Sequence, residues 1–470
     1  MPEDAGVLDA GREYAPPGCF RGTPATDLEF FNACTSAAFV SFDNCRVTGG
    51  CDGGALAPLV KAPPATPVTS SPIDGGTTVT CYDAVERPNV IFMNGSTNFT
   101  PFIRAMTPIV EASGFVLVWQ PTNSCTGADS VFNIDPVKRV MKNPTNTSQN
   151  FAAFYTNANL PNGTPCLLGN SPRAVSQNSE PVDVGQSDIF ATSCPSGTTP
   201  YNLYQPGVGD YADVRAYLGP IQSFVFAVPS ASTQKAISAD AARQIFGAGV
   251  PVAPWSDSKQ WWVRSATTGT SGILARSMGV PATDLWGVDQ RSANNMVDQL
   301  KSVSTTAAEA TIGLLSADFA DKEKANIHTL YFQPQGALTG FLPDLKSFTR
   351  DKENVRDGHY PLWGPIHLYA RATGGDITSA ARAFVTQFSV SQPPIDLLDA
   401  IIATGNVPSC AMKVTRDAEM GPLRAYDPPF KCNCYYEKKQ NGGTKCQPCA
   451  GPAECPAATP SCNLGYCEKQ

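Results

Sequence analysis

Short apolar runs alternate with polar, turn-forming stretches over most of the chain. Asn89–Met93, Phe115–Trp119 and Ser223–Val228 are compact apolar runs of strand length. Pro101–Val110 instead spaces its apolar residues at helical intervals, and Ala239–Phe246 reads as a helix capped by Ser238. This alternation predicts α/β lobes with mainly parallel strands. The pattern fades at both ends. Residues 1–54 form a cysteine-bearing extension, and residues 55–80 form a linker rich in Pro, Ser and Thr. From Lys431 onward apolar content drops while seven cysteines crowd between Cys432 and Cys467, so disulfides must order that tail.

Composition narrows the class. The chain has 470 residues, 42% of them hydrophobic, which is ample for more than one folding unit. Thirty-four basic against 41 acidic side chains leave a formal charge of −7 with no long basic run, so nucleic acid is not an expected partner. The 16 cysteines fall into even groups: Cys19, Cys34, Cys45 and Cys51; Cys81, Cys125, Cys166 and Cys194; and eight from Cys410 to Cys467. Such usage belongs to an oxidising compartment, whether periplasmic, cell-surface or secreted. No apolar run is long enough to span a bilayer. The opening residues lack a basic n-region and an apolar h-region, as expected if the chain begins after a removed export signal, with any lipid anchor lost alongside.

Four segments end apolar runs with small, hydroxyl-bearing or charged residues. They are Gly95–Phe99, Trp119–Gly127, Val182–Asp188 and Arg264–Thr270, the last preceding a helix stopped by Gly279. Small-residue turns at helix starts present backbone N–H groups and partial positive charge, which suits an oxyanion. In open α/β sheets such strand ends line the ligand crevice.

Taken together, these segments resemble the periplasmic phosphate-binding proteins of ABC importers. The resemblance rests on the Gly-Ser-Thr-x-Phe turn at 95–99, the Ser187–Asp188 pair, and an Arg four residues before Thr268-Gly269-Thr270. Arg356–Gly364 is similar to that family's return segment. Gly219–Pro229, Ile237–Asp240 and Pro254–Trp255 are similar to its crossover and second-lobe entry. The resemblance implies a type II (Venus-flytrap) two-lobed α/β fold with small disulfide-rich terminal extensions. Lobe 1 would comprise 81–222 and 357–420, lobe 2 would comprise 223–356, and 421–470 would be a cysteine-rich module. It further implies that Ser96, Thr97, Asn98, Phe99, Ser124, Thr268, Gly269 and Thr270 surround a phosphate or related tetrahedral oxyanion. Arg264 would supply the charge-assisted fork. Asp188 would accept the proton of hydrogen phosphate and so repel sulfate. Two departures from the family pattern are Thr268, where Ser is usual, and Ala266, where a second Asp often stands.

The expected function is therefore non-catalytic solute capture without cofactor or metal, by a monomer serving an ABC permease. An alternative reading is an envelope adhesion protein whose cysteine-rich ends engage a partner. A phosphoester hydrolase is disfavoured, since no Gly-x-Ser-x-Gly elbow occurs. Cys432-x-Cys434 and Cys446-x-x-Cys449 read as disulfide rather than zinc positions. His328, His359 and His367 read as structural, and of the sequons at Asn94, Asn98, Asn146 and Asn162, the first two lie where a glycan would block the pocket.

Overall fold

A computed structural model describes residues 16–48, 54–63, 79–85, 89–141, 151–174, 179–194 and 204–469. Cys51, Asn146 and residues 64–78 of the expected linker lie outside these.

Ten strands form the main path of one large mixed sheet: β1 Val90–Ser96, β2 Val116–Thr122, β3 Phe151–Tyr155, β4 Thr164–Leu167, β5 Val184–Ser187, β6 Val214–Pro229, β7 Trp261–Val263, β8 Val288–Asp289, β9 Ile312–Ser316 and β10 Trp363–Thr373. Their order is β8-β7-β9-β6-β10-β5-β1-β2-β3-β4. Strands β5, β1 and β2 run parallel on one side, and β7, β8 and β9 run parallel on the other. The long strands β6 and β10 pair antiparallel between them. The expected predominance of parallel strands therefore holds only within each half. The two crossing strands, and the antiparallel additions β3 and β4, make the sheet mixed.

The crossing strands are what make two lobes of one chain. Residues 214–218 of β6 pair with 367–371 of β10, whereas 224–227 pair with β9. Apolar side chains divide accordingly. Ile366, Leu368 and Ala370 join one core with Ile91, Phe102 and Leu117, while Phe224, Val225 and Phe226 join another with Trp261, Ile273 and Leu314. The α/β two-lobed class expected from the sequence is thus the one observed.

The terminal segments are more integrated than extensions would be. Phe30, Phe31 and Phe42 lie in the second core, and Phe39–Val40 pairs with Gly340–Phe341. At the other end, helix Asn433–Asn441 places Tyr436 in that same core. Cysteines pair within the predicted groups: Cys19–Cys34, Cys81–Cys166, Cys125–Cys194, Cys410–Cys432, Cys434–Cys446, Cys449–Cys462 and Cys455–Cys467. The tail is ordered by its bridges, as its poor apolar content requires, but it also contributes to packing.

Candidate functional site

Strands β1, β2, β5 and β7 end where the halves of the sheet face each other, and three of them lead directly into helices. A short 3₁₀ turn, Thr97–Phe99, joins β1 to α1 (Thr100–Ala112). Asn123 caps α2 (Ser124–Phe132) by accepting from the Thr126 N–H. Thr268 caps α3 (Gly269–Ser277) by accepting from the Ser271 N–H. Strand β1 runs to Ser96, three residues beyond the apolar run that announced it. Gly95 and Ser96 therefore belong to the strand rather than to a turn.

Thr97, Asn98, Ser124, Asp188, Arg264, Gly269 and Thr270 come together here, and several of them bond across the cleft. The Asn98 amide nitrogen donates to Asp188 Oδ2 and to Thr270 Oγ1, each at 3.2 Å. Ser124 Oγ accepts from the Gly269 N–H at 3.0 Å and from the Asp188 N–H at 3.3 Å. Both its acceptor positions are thus used, which leaves the hydroxyl proton free to point elsewhere. Arg264 Nη2 donates to Thr97 Oγ1 at 3.2 Å, and the Cys125 N–H donates to the Thr267 carbonyl at 3.1 Å. These bonds join segments on either side of the crossing strands, so the cleft is closed. Ser96 sits one layer back, capping the Asn98 N–H, and Thr268 acts as the helix cap. The Phe99 ring is fully buried against Phe102, Trp119 and Phe384 and anchors the turn from behind.

Close approach explains two glycines. A Cβ on Gly269 would stand 2.4 Å from Asp188 Cβ, and one on Gly127 would stand 1.9 Å from the Gln186 carbonyl oxygen. Neither the helix–helix contact across the cleft nor the seating of α2 on the sheet survives a side chain there. The Cys125–Cys194 bridge ties the first turn of α2 to the segment that follows Asp188. It therefore fixes Ser124 and Asp188 relative to one another rather than reshaping the pocket away from them.

Electrostatically the site is unfinished. Arg264 is only 3% exposed, yet Nε and Nη1 have no hydrogen-bond partner among the described residues; neither does Asn98 Oδ1. Burial lowers the Arg264 pKa to about 10, with Asp289 and Asp188 restoring part of the preference for charge. It remains a cation at neutral pH. Burial pushes the Asp188 carboxyl up, opposed by hydrogen bonds from Ser96, Gln186 and Asn98 and by the Arg264 charge.

Several contributors were not among the expected residues. Gln186, fully buried, accepts from the Ser96 N–H at 2.7 Å and donates to Asp188 Oδ1 at 2.8 Å, so it orients the carboxylate. Gln186 lies inside β5, whose four residues are all buried, so an amide there carried no turn or cap signal. Asp289, on β8 beside Val263 of β7, provides the countercharge that Ala266 does not. That pairing is a matter of sheet register and leaves no local trace. Of the histidines, His367 is buried and depressed to about 3, hence neutral, and His359 pairs with Asp357. His328 is exposed. Asn94 and Asn98 are buried and cannot carry glycans in this fold.

The architecture is two α/β lobes joined by crossing strands, with the polar groups gathered between the lobes. No protein-family profile and no curated protein matches the chain. Among solved structures it is similar to an ABC-type phosphate transport receptor from Vibrio cholerae, at 11% identity over 68% of this chain and 100% of that one, TM-score 0.41. A phosphate-binding protein from Stenotrophomonas maltophilia matches at 13% identity over 68% of this chain and 90% of that one, TM-score 0.42. The reduced OxyR regulatory domain of Pseudomonas aeruginosa matches at 10% identity over 67% and 96%, TM-score 0.33. These are distant likenesses, and none of them carries a ligand over to this chain.

Proposed function

We propose that this protein is an extracytoplasmic solute-binding protein that captures inorganic phosphate or a related tetrahedral oxyanion between its lobes and hands it to an ABC permease. Lobe 1 is taken as 81–222 with 357–420, and lobe 2 as 223–356. The observation that carries the reading is the buried Arg264 guanidinium with two unused donors, facing the starts of three helices. Leaving charged donors unpaired in a dry interior costs several kcal/mol in order of magnitude, a cost that an arriving anion removes. The ligand would also receive the Ser124 and Thr270 hydroxyls and backbone N–H groups of the 97–99 turn. Asp188, held by Gln186 and Asn98, would accept a proton that phosphate carries and sulfate lacks. No bond is made or broken in this scheme. Binding energy is spent on closing two lobes about the crossing strands.

Isothermal titration calorimetry of the full chain with phosphate, sulfate and arsenate tests this. Phosphate should bind, and Arg264→Ala should bring its affinity below detection. Parent-like affinity in that variant would remove Arg264 from the site and sink the assignment.

A further inference from the structure

Beyond Asp188 a second set of buried polar groups surrounds the point where β6 and β10 cross. Gln222 lies opposite Gly364 in the ladder. Ile221 bridges antiparallel to Val407, which sets Asn406 beside Gln222 on its other flank. Cross-strand neighbours share a face, so Gln222 and Asn406 project together, and Gly364 leaves that row open. The Glu419 carboxyl folds over the gap. A Cβ on Gly364 would lie 3.2 Å from Glu419 Oε1 and 3.8 Å from the Asp188 carbonyl oxygen. Asp318, just past β9, packs its Cβ 3.2 Å from where a Cβ on Gly405 would stand. Because β7 and β9 are parallel neighbours, Arg264 and Asp318 leave the sheet at the same edge.

Gln222, Asp318, Asn406 and Glu419 are 1%, 3%, 4% and 7% exposed. Among the described residues, both amide atoms of Gln222, Asp318 Oδ1, Asn406 Oδ1 and Glu419 Oε1 have no hydrogen-bond partner. Each orphan costs about 1–3 kcal/mol, and folded proteins bury few of them. Four of these five atoms are acceptors; with the unpartnered Ser316 Oγ beside Asp318 and Arg416 Nε near Glu419 counted as donors, acceptors still outnumber donors in the cluster. Burial raises Asp318 to about 6 and Glu419 to about 7, and the Asp188 charge adds to both shifts. Asp188 therefore lies within Coulombic reach of both Asp318 and Glu419. Lys322 and Arg276, which act in the opposite sense, are exposed. Inside, Arg264 lies within Coulombic reach of Asp289 and Asp188, and Arg416 of Glu419. A bare phosphate would bring further negative charge beside Asp188, Asp318 and Glu419.

We infer that the ligand is a zwitterionic organophosphorus compound, with a phosphonate or phosphate-monoester head on Arg264 and a short amine-bearing tail among Asp318, Glu419, Gln222 and Asn406. The inference rests on the reading of Arg264 as the anion anchor and adds the second half of the ligand. The ammonium supplies three donors to the orphaned acceptors and balances the carboxylates, while the phosphorus oxygens take up the spare guanidinium donors.

Calorimetry on the full chain with inorganic phosphate, ethylphosphonate, 2-aminoethylphosphonate and 3-aminopropylphosphonate tests it. One of the two aminoalkyl compounds should bind at least tenfold more tightly than ethylphosphonate. In Asp318→Asn that ratio should fall to within threefold. Equal affinities in the parent would mean that the chamber holds only solvent, overturning this inference while leaving the Arg264 anchor intact. Failure of every phosphorus compound to bind would overturn the anchor first, and this inference with it.

Discussion

Of the three arginines buried among the described residues, Arg356, Arg264 and Arg416, the first two are treated in opposite ways. Arg356 is fully enclosed, and each of its nitrogens is used. Nε donates to the Ala411 carbonyl at 3.0 Å, Nη1 to Glu353 at 2.8 Å and Nη2 to Asn433 at 2.8 Å, with the guanidinium 5.0 Å from the Tyr436 ring centre. Burial alone would lower its pKa, but Glu353, Tyr436 and Glu437 outweigh it and the net shift is upward. Arg264 is buried almost as deeply, with one donor engaged and a pKa lowered to about 10. The first arginine cross-links the tail to the second lobe. The second leaves Nε and Nη1 without a partner among the described residues. A buried cation whose donors are all satisfied serves the fold, whereas Arg264, with two donor nitrogens unpartnered, is the candidate for a ligand.

The comparison can be broken most directly at Arg356. Arg356→Met strands Asn433 and the Ala411 carbonyl and leaves Glu353 with Lys413 alone, and should lower stability by about 3–5 kcal/mol in denaturant titrations. Next in size is Glu419, whose folded pKa of about 7 lies above its unfolded value. The native state then binds the extra proton. Its contribution is full below the unfolded pKa of about 4.5, and is lost as pH rises through 7, up to about 3 kcal/mol. Glu419→Gln should flatten that slope; an unchanged slope would mean the carboxyl is ionised throughout. The Phe190 N–H, Arg416 and Arg276 favour its ionised form, and Asp188 opposes it. A smaller effect is expected at Asp188, where Asp188→Asn should narrow the preference for phosphate over sulfate by about tenfold, or 1.4 kcal/mol, in competition calorimetry. The smallest expected change is the most diagnostic. Arg264→Met should alter ligand-free stability by less than about 1 kcal/mol, or raise it, because it removes a buried cation with two unpartnered donor nitrogens. Should it destabilise as much as Arg356→Met, the distinction between the two arginines is lost.

Much of the candidate site has a local cause in the sequence. Ser96, Asn98, Ser124, Asp188 and Thr268–Thr270 follow apolar runs, and small hydroxyl residues at strand ends have a local cause: they start helices and form tight turns. What escaped was whatever depends on two distant segments. Gln186 sits inside a strand whose four residues are all buried, where an amide carries no turn or cap signal. Asp289 matters only because β8 lies beside β7. Glu419 and Asp318 are ordinary acids in sequence, and only Gly364, Gly405 and the crossing strands bring them near Asp188.

The terminal regions show the same division. Even cysteine groups announced the disulfides, because bridges compensate locally for missing apolar surface. That Tyr436 and Phe30 complete the second core could not be read that way, since a side chain's burial depends on what folds over it. Residue order dictated the elements, their caps and the chemistry available at their ends. Which of those ends face each other, which charges are paired and which are left with donors to spare were settled by strand register and the crossing of β6 and β10, because electrostatic energy in a dry interior depends on through-space neighbours rather than on adjacency along the backbone.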